Sequence, residues 1–170
     1  SFCAFYAKPK DAEKGYVLER EQIYRKVQET VDVGGVQILM QGGHHPRLDT
    51  AWFEELFRDL KQRWPALHLH AMSPPEIVHL SHVSKVSTEE VLRRLQAAGM
   101  DSMPGGGAEI LVESVREKIA PRKATTDEWL RVMEEAHGLG MRTTATMMFG
   151  HVETVADRVE HLDRLRQVQD

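Results

Sequence analysis

The chain has 170 residues, 28% of them charged and 41% hydrophobic, the balance of one ordinary domain able to bury a core rather than of a disordered segment. A formal charge of −4 with no long run of one sign argues against nucleic-acid binding, which needs a basic face, and no apolar stretch approaches the roughly 18–20 residues of a membrane span. The single cysteine, Cys3, has no internal disulfide partner, which fits a reducing, cytoplasmic setting.

Residues 1–6 read Ser-Phe-Cys-Ala-Phe-Tyr, a cysteine among aromatics, with no initiating Met. Alone, such a cysteine reads either as buried apolar filler or as the last ligand of a metal or cluster motif that starts upstream. Ile23, Val27 and Val31 recur every four positions as on one helical face, and Gly34-Gly35 ends that helix. Val36 to Met40 is a short apolar run expected as a buried strand. A helix bearing Trp52, Phe53, Leu56, Phe57, Leu60 and Trp64 follows, stopped by Pro65. Leu67 to Met72 reads as the second strand, closed by Ser73-Pro74-Pro75. Ser87-x-x-Glu90 is a capping box for the next helix, which Gly99 closes. Asp101 to Met103 is a brief third strand, and Thr125-x-x-Glu128 caps the helix after it. Arg142 to Phe149, rich in Thr and Met, is expected as the fourth strand. Val155, Val159, Leu162, Leu165 and Val168 mark a last amphipathic helix.

One helix followed by four strand–helix units predicts an α/β fold with a parallel sheet. Four units are too few for an eight-stranded barrel of roughly 250 residues. Residues 1–170 are therefore expected as a single domain, one section of a (β/α) barrel that lacks its N-terminal strand and C-terminal units. A sheet cut this way is expected to expose an edge.

In parallel α/β folds the carboxyl ends of the strands build the site. The candidates there are Gln41, Gly42, Gly43, His44 and His45 after the first strand, and His68, His70 and Ser73 on and after the second. Gly105, Gly106, Gly107 and Glu109 follow the third, and His151 and Glu153 the fourth. Three consecutive glycines weaken a backbone and are kept where it must approach a ligand closely or adopt positive φ. Each histidine alone reads as readily as a hydrogen-bonded structural residue, and Glu109 as a helix cap.

Phe2-Cys3 resembles the end of the radical S-adenosylmethionine (SAM) signature, and Gly42-Gly43 resembles that superfamily's glycine-rich turn. QILMQGGHHP, HAMSPPEI, DSMPGGGAEIL and TATMMFGHVET resemble the futalosine-pathway enzymes of menaquinone biosynthesis over nearly the whole chain. The resemblance implies a radical SAM barrel with a [4Fe–4S] cluster and SAM. The implied reaction is hydrogen abstraction from the ribose of dehypoxanthine futalosine and closure of a spiro ring. The aminofutalosine-forming relatives are the alternative. It implies Cys3 as an iron ligand, with Phe2 and Tyr6 packed near cluster and adenine. Gln41, Gly42 and Gly43 would meet the methionine moiety of SAM, and Glu109 its ribose, with Gly105 to Gly107 allowing close approach. His45, His70, Ser73, His151 and Glu153 would line the substrate side, and either a histidine or Glu153 would take the final proton. His44 stands where the superfamily usually has an acidic residue. The implied partners are a small nucleoside-derived substrate and an electron donor such as flavodoxin or ferredoxin, with no nucleic acid or membrane. One thiolate cannot hold the cluster, so residues 1–170 alone are expected to be inactive.

Two other readings use the same residues. A metal-dependent hydrolase would bind zinc through His68, His70, His151 and Glu153. A non-catalytic SAM- or nucleotide-binding module would bind its ligand without cleaving it.

Overall fold

A computed structural model describes residues 3, 6–8, 11 and 14–169. Its elements run α1 (Arg20–Asp32), β1 (Gln37–Met40), α2 (Thr50–Arg63), β2 (His68–Ala71), α3 (Pro74–Ser84) and α4 (Thr88–Ala97). They continue with β3 (Ser102–Met103), α5 (Glu113–Ile119), α6 (Thr126–Gly138), β4 (Arg142–Thr143) and α7 (Val155–Gln169). The four strands pair in parallel in the order β1-β2-β3-β4, so the expected parallel α/β section with interleaved helices is what forms. No helix among the described residues is long and apolar enough to cross a membrane.

The helix ends follow their local chemistry. Gly34, at φ 86°, turns the chain out of α1, and its N–H returns to Val31 O at 2.9 Å. Thr125 and Glu128 form a reciprocal capping box on α6. Ser87 accepts from Glu90 N at 3.1 Å on α4. Two helices were not expected. α5 has only seven residues, too few for a readable period. α3 begins at the Pro74-Pro75 pair that looked like a strand terminator. Proline suits the first helical turn, where an N–H has no intrahelical partner to lose.

The sheet is sided. Leu69, Ala71 and Met103 are fully buried in the main core with Phe57, Leu60, Leu92 and Trp129, beneath α2, α4 and α6. His68 and His70 point to the opposite face, half-buried. β1 is not the buried strand its apolar run predicts. Ile38 and Met40 pack on the core, but Gln37 and Leu39 face away and Leu39 is 60% exposed. Asp101 fixes the β2–β3 register, exchanging N–H bonds with Leu69 through its backbone N (3.0 Å) and carboxylate (2.7 Å). That carboxylate also pairs with Lys61 at 2.6 Å.

β4 is two residues long, not eight. After Thr143 the chain leaves the ladder because its threonines bond elsewhere: Thr144 Oγ1 accepts from Gly105 N at 3.0 Å, and Thr146 Oγ1 donates to Gly105 O at 2.9 Å. On α7 the Val155, Val159 and Leu162 edge of the expected stripe is exposed. The buried face is instead His161, with Leu165 and Val168 partly buried. Leu69→Ala is expected to cost about 2–5 kcal/mol, read as a lower urea midpoint at unchanged slope.

Candidate cofactor and substrate site

The turns after all four strands meet at the triple glycine. A Cβ on Gly105 would lie 2.0 Å from Thr144 O and 2.5 Å from Ala145 Cα. One on Gly106 would lie 2.5 Å from Gln41 Nε2, and one on Gly107 2.5 Å from Pro75 Cγ. Gly107 also holds φ at +79°. The glycines are thus required by the protein's own turns, from β4, β1 and β2 in sequence, and not solely by a ligand as the sequence suggested. Gly42 and Gly43 behave oppositely. A Cβ on Gly42 would meet nothing closer than 3.9 Å, and one on Gly43 nothing within 4 Å. Their exposed backbone faces open space.

Glu76, on the first turn of α3, is 5% exposed and accepts three hydrogen bonds. Gly42 N donates at 2.8 Å, Ser73 N at 2.7 Å and Ser73 Oγ at 2.6 Å. Burial pushes this carboxyl above its ordinary range, and the donors oppose that shift. Sequence reasoning missed Glu76, although Ser73-x-x-Glu76 is itself a capping-box pattern. Ser73, expected at the substrate, is buried with its hydroxyl committed to Glu76.

Glu109 sits at φ 51°, in the left-handed region that non-glycine residues occupy only when held there. Its Oε1 accepts from Lys123 Nζ at 3.1 Å. The buried Arg116 holds both neighbours, donating to Gly107 O (2.9 Å), Ala108 O (2.6 Å) and Ala124 O. Lys123 and Arg122 help line a cleft of about 190 Å³ with His44, His79 and His82. The Arg122 guanidinium lies 5.4 Å over the Tyr6 ring, which brings Tyr6 to this cleft. Cys3 is exposed, not apolar filler. Phe2 lies outside the described residues.

The His44 and His79 rings stack, 4.8 Å apart and 8° from parallel. His44 titrates down at about 4, held there first by loss of solvation and then by His79 and Lys123. His79 Nε2 bonds His45 O at 2.9 Å. His45 Nδ1 accepts from Arg47 N and Leu48 N, both at 3.2 Å, so this nitrogen shapes a turn.

The β4 turn is self-contained. Glu153 accepts from Gly150 N (2.6 Å), His151 N (2.9 Å) and Arg158 Nε (2.9 Å). These bonds, Gly150 N foremost, bring its carboxyl down to about 2. A carboxylate this weakly basic is a poor proton acceptor near neutrality, which counts against Glu153 among the groups that could take the final proton. His151 spends both ring nitrogens locally, on Met148 O and Val152 N, each at 2.8 Å. Nor do His68, His70, His151 and Glu153 assemble as zinc ligands. His68 Nε2 and His70 Nδ1 share the Ser102 hydroxyl instead, each at 2.6 Å. Among the described residues no group of three or more His, Cys, Asp or Glu is placed to hold a metal ion.

The Radical SAM superfamily model matches residues 1–165. This chain belongs to the radical SAM superfamily. It is 49% identical over 169 residues to the cyclic dehypoxanthine futalosine synthase of Streptomyces coelicolor, covering 99% of this chain and 42% of that protein. It is 43% identical over 170 residues to the 5-amino-6-(D-ribitylamino)uracil–L-tyrosine 4-hydroxyphenyl transferase of Methanothermobacter thermautotrophicus (99% of this chain, 46% of that protein). It is 40% identical over 170 residues to the aminodeoxyfutalosine synthase of Thermus thermophilus (100% of this chain, 45% of that protein). The chain thus spans less than half the length of these relatives. Radical SAM proteins use a [4Fe–4S] cluster and SAM, and the chain has the parallel α/β framework they share.

Gly105→Ala is expected to destabilise the protein by about 1–3 kcal/mol through overpacking against backbone, while Gly43→Ala stays within about 0.5 kcal/mol; urea unfolding compares them. Glu153 titrates at about 2 against an ordinary 4.5, so its ionised form adds stability above pH 4.5 that is lost as pH falls toward 2. Glu153→Gln is expected to flatten that acid limb in pH-dependent unfolding.

Proposed function

We propose that residues 1–170 form a single-domain section of the barrel of a radical SAM cyclase that converts dehypoxanthine futalosine to its cyclic form in menaquinone biosynthesis. The observation carrying this reading is 49% identity over 169 residues to a cyclic dehypoxanthine futalosine synthase, above the 43% and 40% shared with the transferase and the aminodeoxyfutalosine synthase.

The residues fit the two cofactors. When bound, cluster and SAM supply a 5′-deoxyadenosyl radical. Cys3 would give one thiolate to iron, its exposure suiting that task. Tyr6, stacked on Arg122, and Phe2 before Cys3 would flank the adenine. The open backbone of Gly42 and Gly43, with Gln41 beside them, would receive the methionine part of SAM. Glu109 would accept hydrogen bonds from the ribose hydroxyls, and its salt bridge to Lys123 fixes where its carboxylate sits. Gly105 to Gly107 keep the β3 turn close to its neighbours so that Glu109 reaches the ligand. His45 and His151 would border the substrate as turn-forming residues, and His70 would face it from β2. A flavodoxin or ferredoxin would supply the electron.

The test uses the full-length enzyme, reconstituted anaerobically with iron and sulfide, reduced, and given SAM with dehypoxanthine futalosine. The expected outcome is 5′-deoxyadenosine and a product lighter than the substrate by two hydrogens. Turnover of the aminodeoxyfutalosine synthase substrate, with none of dehypoxanthine futalosine, would overturn the reading. Glu109→Gln is expected to weaken SAM binding about tenfold to hundredfold through loss of charge-assisted hydrogen bonds, with cluster absorption unchanged.

A further inference from the structure

β2 and β3 place three polar side chains in one line on the sheet face that the helices do not cover. His68 Nε2 and His70 Nδ1 each lie 2.6 Å from Ser102 Oγ. Ser102 pairs with His70 across the β2–β3 ladder and is 6% exposed. A serine hydroxyl has one proton and two lone pairs. Between two imidazoles it can donate to one ring and accept from the other, which makes the three groups a directed hydrogen-bonded chain when the two rings hold complementary tautomers. His70 Nε2 makes no hydrogen bond among the described residues. His70 stands two residues closer than His68 to the carboxyl end of β2, where the turns carrying Gly42, Glu76 and Gly105 meet. Their neighbours on the same face are Gln37 and Leu39 of β1, paired with His68 and His70, and Arg142 of β4, paired with Ser102. The charge among these paired neighbours is the Arg142 cation, and burial, then His68, lowers the His70 pKa below its ordinary value.

We propose that His70 is the base that takes the proton lost when the cyclised ring recovers its aromaticity, and that Ser102 passes it on to His68. This rests on the cyclase reading for the substrate's identity. In the resting chain His70 Nδ1–H donates to Ser102 Oγ, and Ser102 Oγ–H donates to His68 Nε2, leaving a lone pair on His70 Nε2. The ring C–H bond breaks, its proton joins His70 Nε2, and the electron leaves to a one-electron acceptor of the iron–sulfur class. His70 Nδ1 then gives its proton to Ser102 while Ser102 gives its own to His68. His70 ends neutral and His68 carries the charge, about 6.6 Å further along the strand from the reacting ring. Of the histidines favoured by sequence, His151 commits both ring nitrogens to backbone groups and His45 commits its Nδ1. His70 differs from both in lying on the helix-free face of β2, with an Nε2 that makes no hydrogen bond among the described residues.

Two measurements on the full-length protein test this. With ¹⁵N-labelled histidine, the relay predicts interdependent titrations of His68 and His70 by NMR, becoming two independent single-step titrations in Ser102→Ala and staying coupled in Ser102→Thr. In the reconstituted enzyme, Ser102→Ala and His70→Gln are each expected to lower the ratio of cyclised product to 5′-deoxyadenosine about 100-fold, as for a lost general base. Ser102→Thr is expected to restore that ratio. Independent titrations in the wild type, or an unchanged ratio in Ser102→Ala, would overturn the relay. If the wild type makes 5′-deoxyadenosine but no cyclised product, the substrate reading fails, and the NMR result alone decides the relay.

Discussion

A single buried carboxylate organises the rim of this sheet. Glu76 is nearly free of solvent, and a charge in that position is tolerable only when hydrogen bonds replace lost hydration. Three donors do so, and they come from two turns: Gly42 after β1 and both groups of Ser73 after β2. Satisfying one side chain therefore locks two strand ends together and starts α3 at a fixed place. That start puts Pro75 against Gly107, which joins the third turn to the same assembly. Arg116 completes it from the other side by holding the Gly107, Ala108 and Ala124 carbonyls.

The rim has two unlike halves. The β1, β2 and β3 turns depend on one another, and their cationic and carboxylate groups meet at Glu109, Lys123 and the His44–His79 stack. The β4 turn satisfies itself: Glu153, His151 and Arg158 bond almost wholly within residues 148–158. The dependent half offers the open backbone of Gly42 and Gly43 beside the Glu109–Lys123 pair, and so suits a ligand. The self-contained half is a rigid border.

Much of this was legible in the chain, and the failures share physical causes. The parallel α/β pattern, the caps at Thr125 and Ser87 and the glycine exit from α1 are local signals, and local chemistry decided them. α3 was hidden because Ser73-Pro74-Pro75 reads equally as a strand's end and a helix's beginning. The rest of β4 dissolved because β-propensity reports packing context more than backbone preference, and Thr144 and Thr146 found better partners in Gly105. At the site, the glycine run correctly signalled close approach, but sequence carries no label for what approaches. Glu76, Lys123 and Arg116 are ordinary residues in ordinary helices or loops, and only their long-range partners distinguish them. The shared hydroxyl between His68 and His70 was invisible for the same reason, since Ser102 lies 32 residues from His70.

The crowding at Gly105 bears on how such a protein can diversify. Its missing side chain is enforced by backbone atoms, 2.0 Å from where a Cβ would stand, and backbone cannot shrink to make room. The centre of the rim is therefore closed to stepwise variation. A lineage that changes its substrate must do so around this point, on the helix-free face of β2, where space is still available. Inventiveness in this scaffold belongs to its periphery, and its centre is inherited whole.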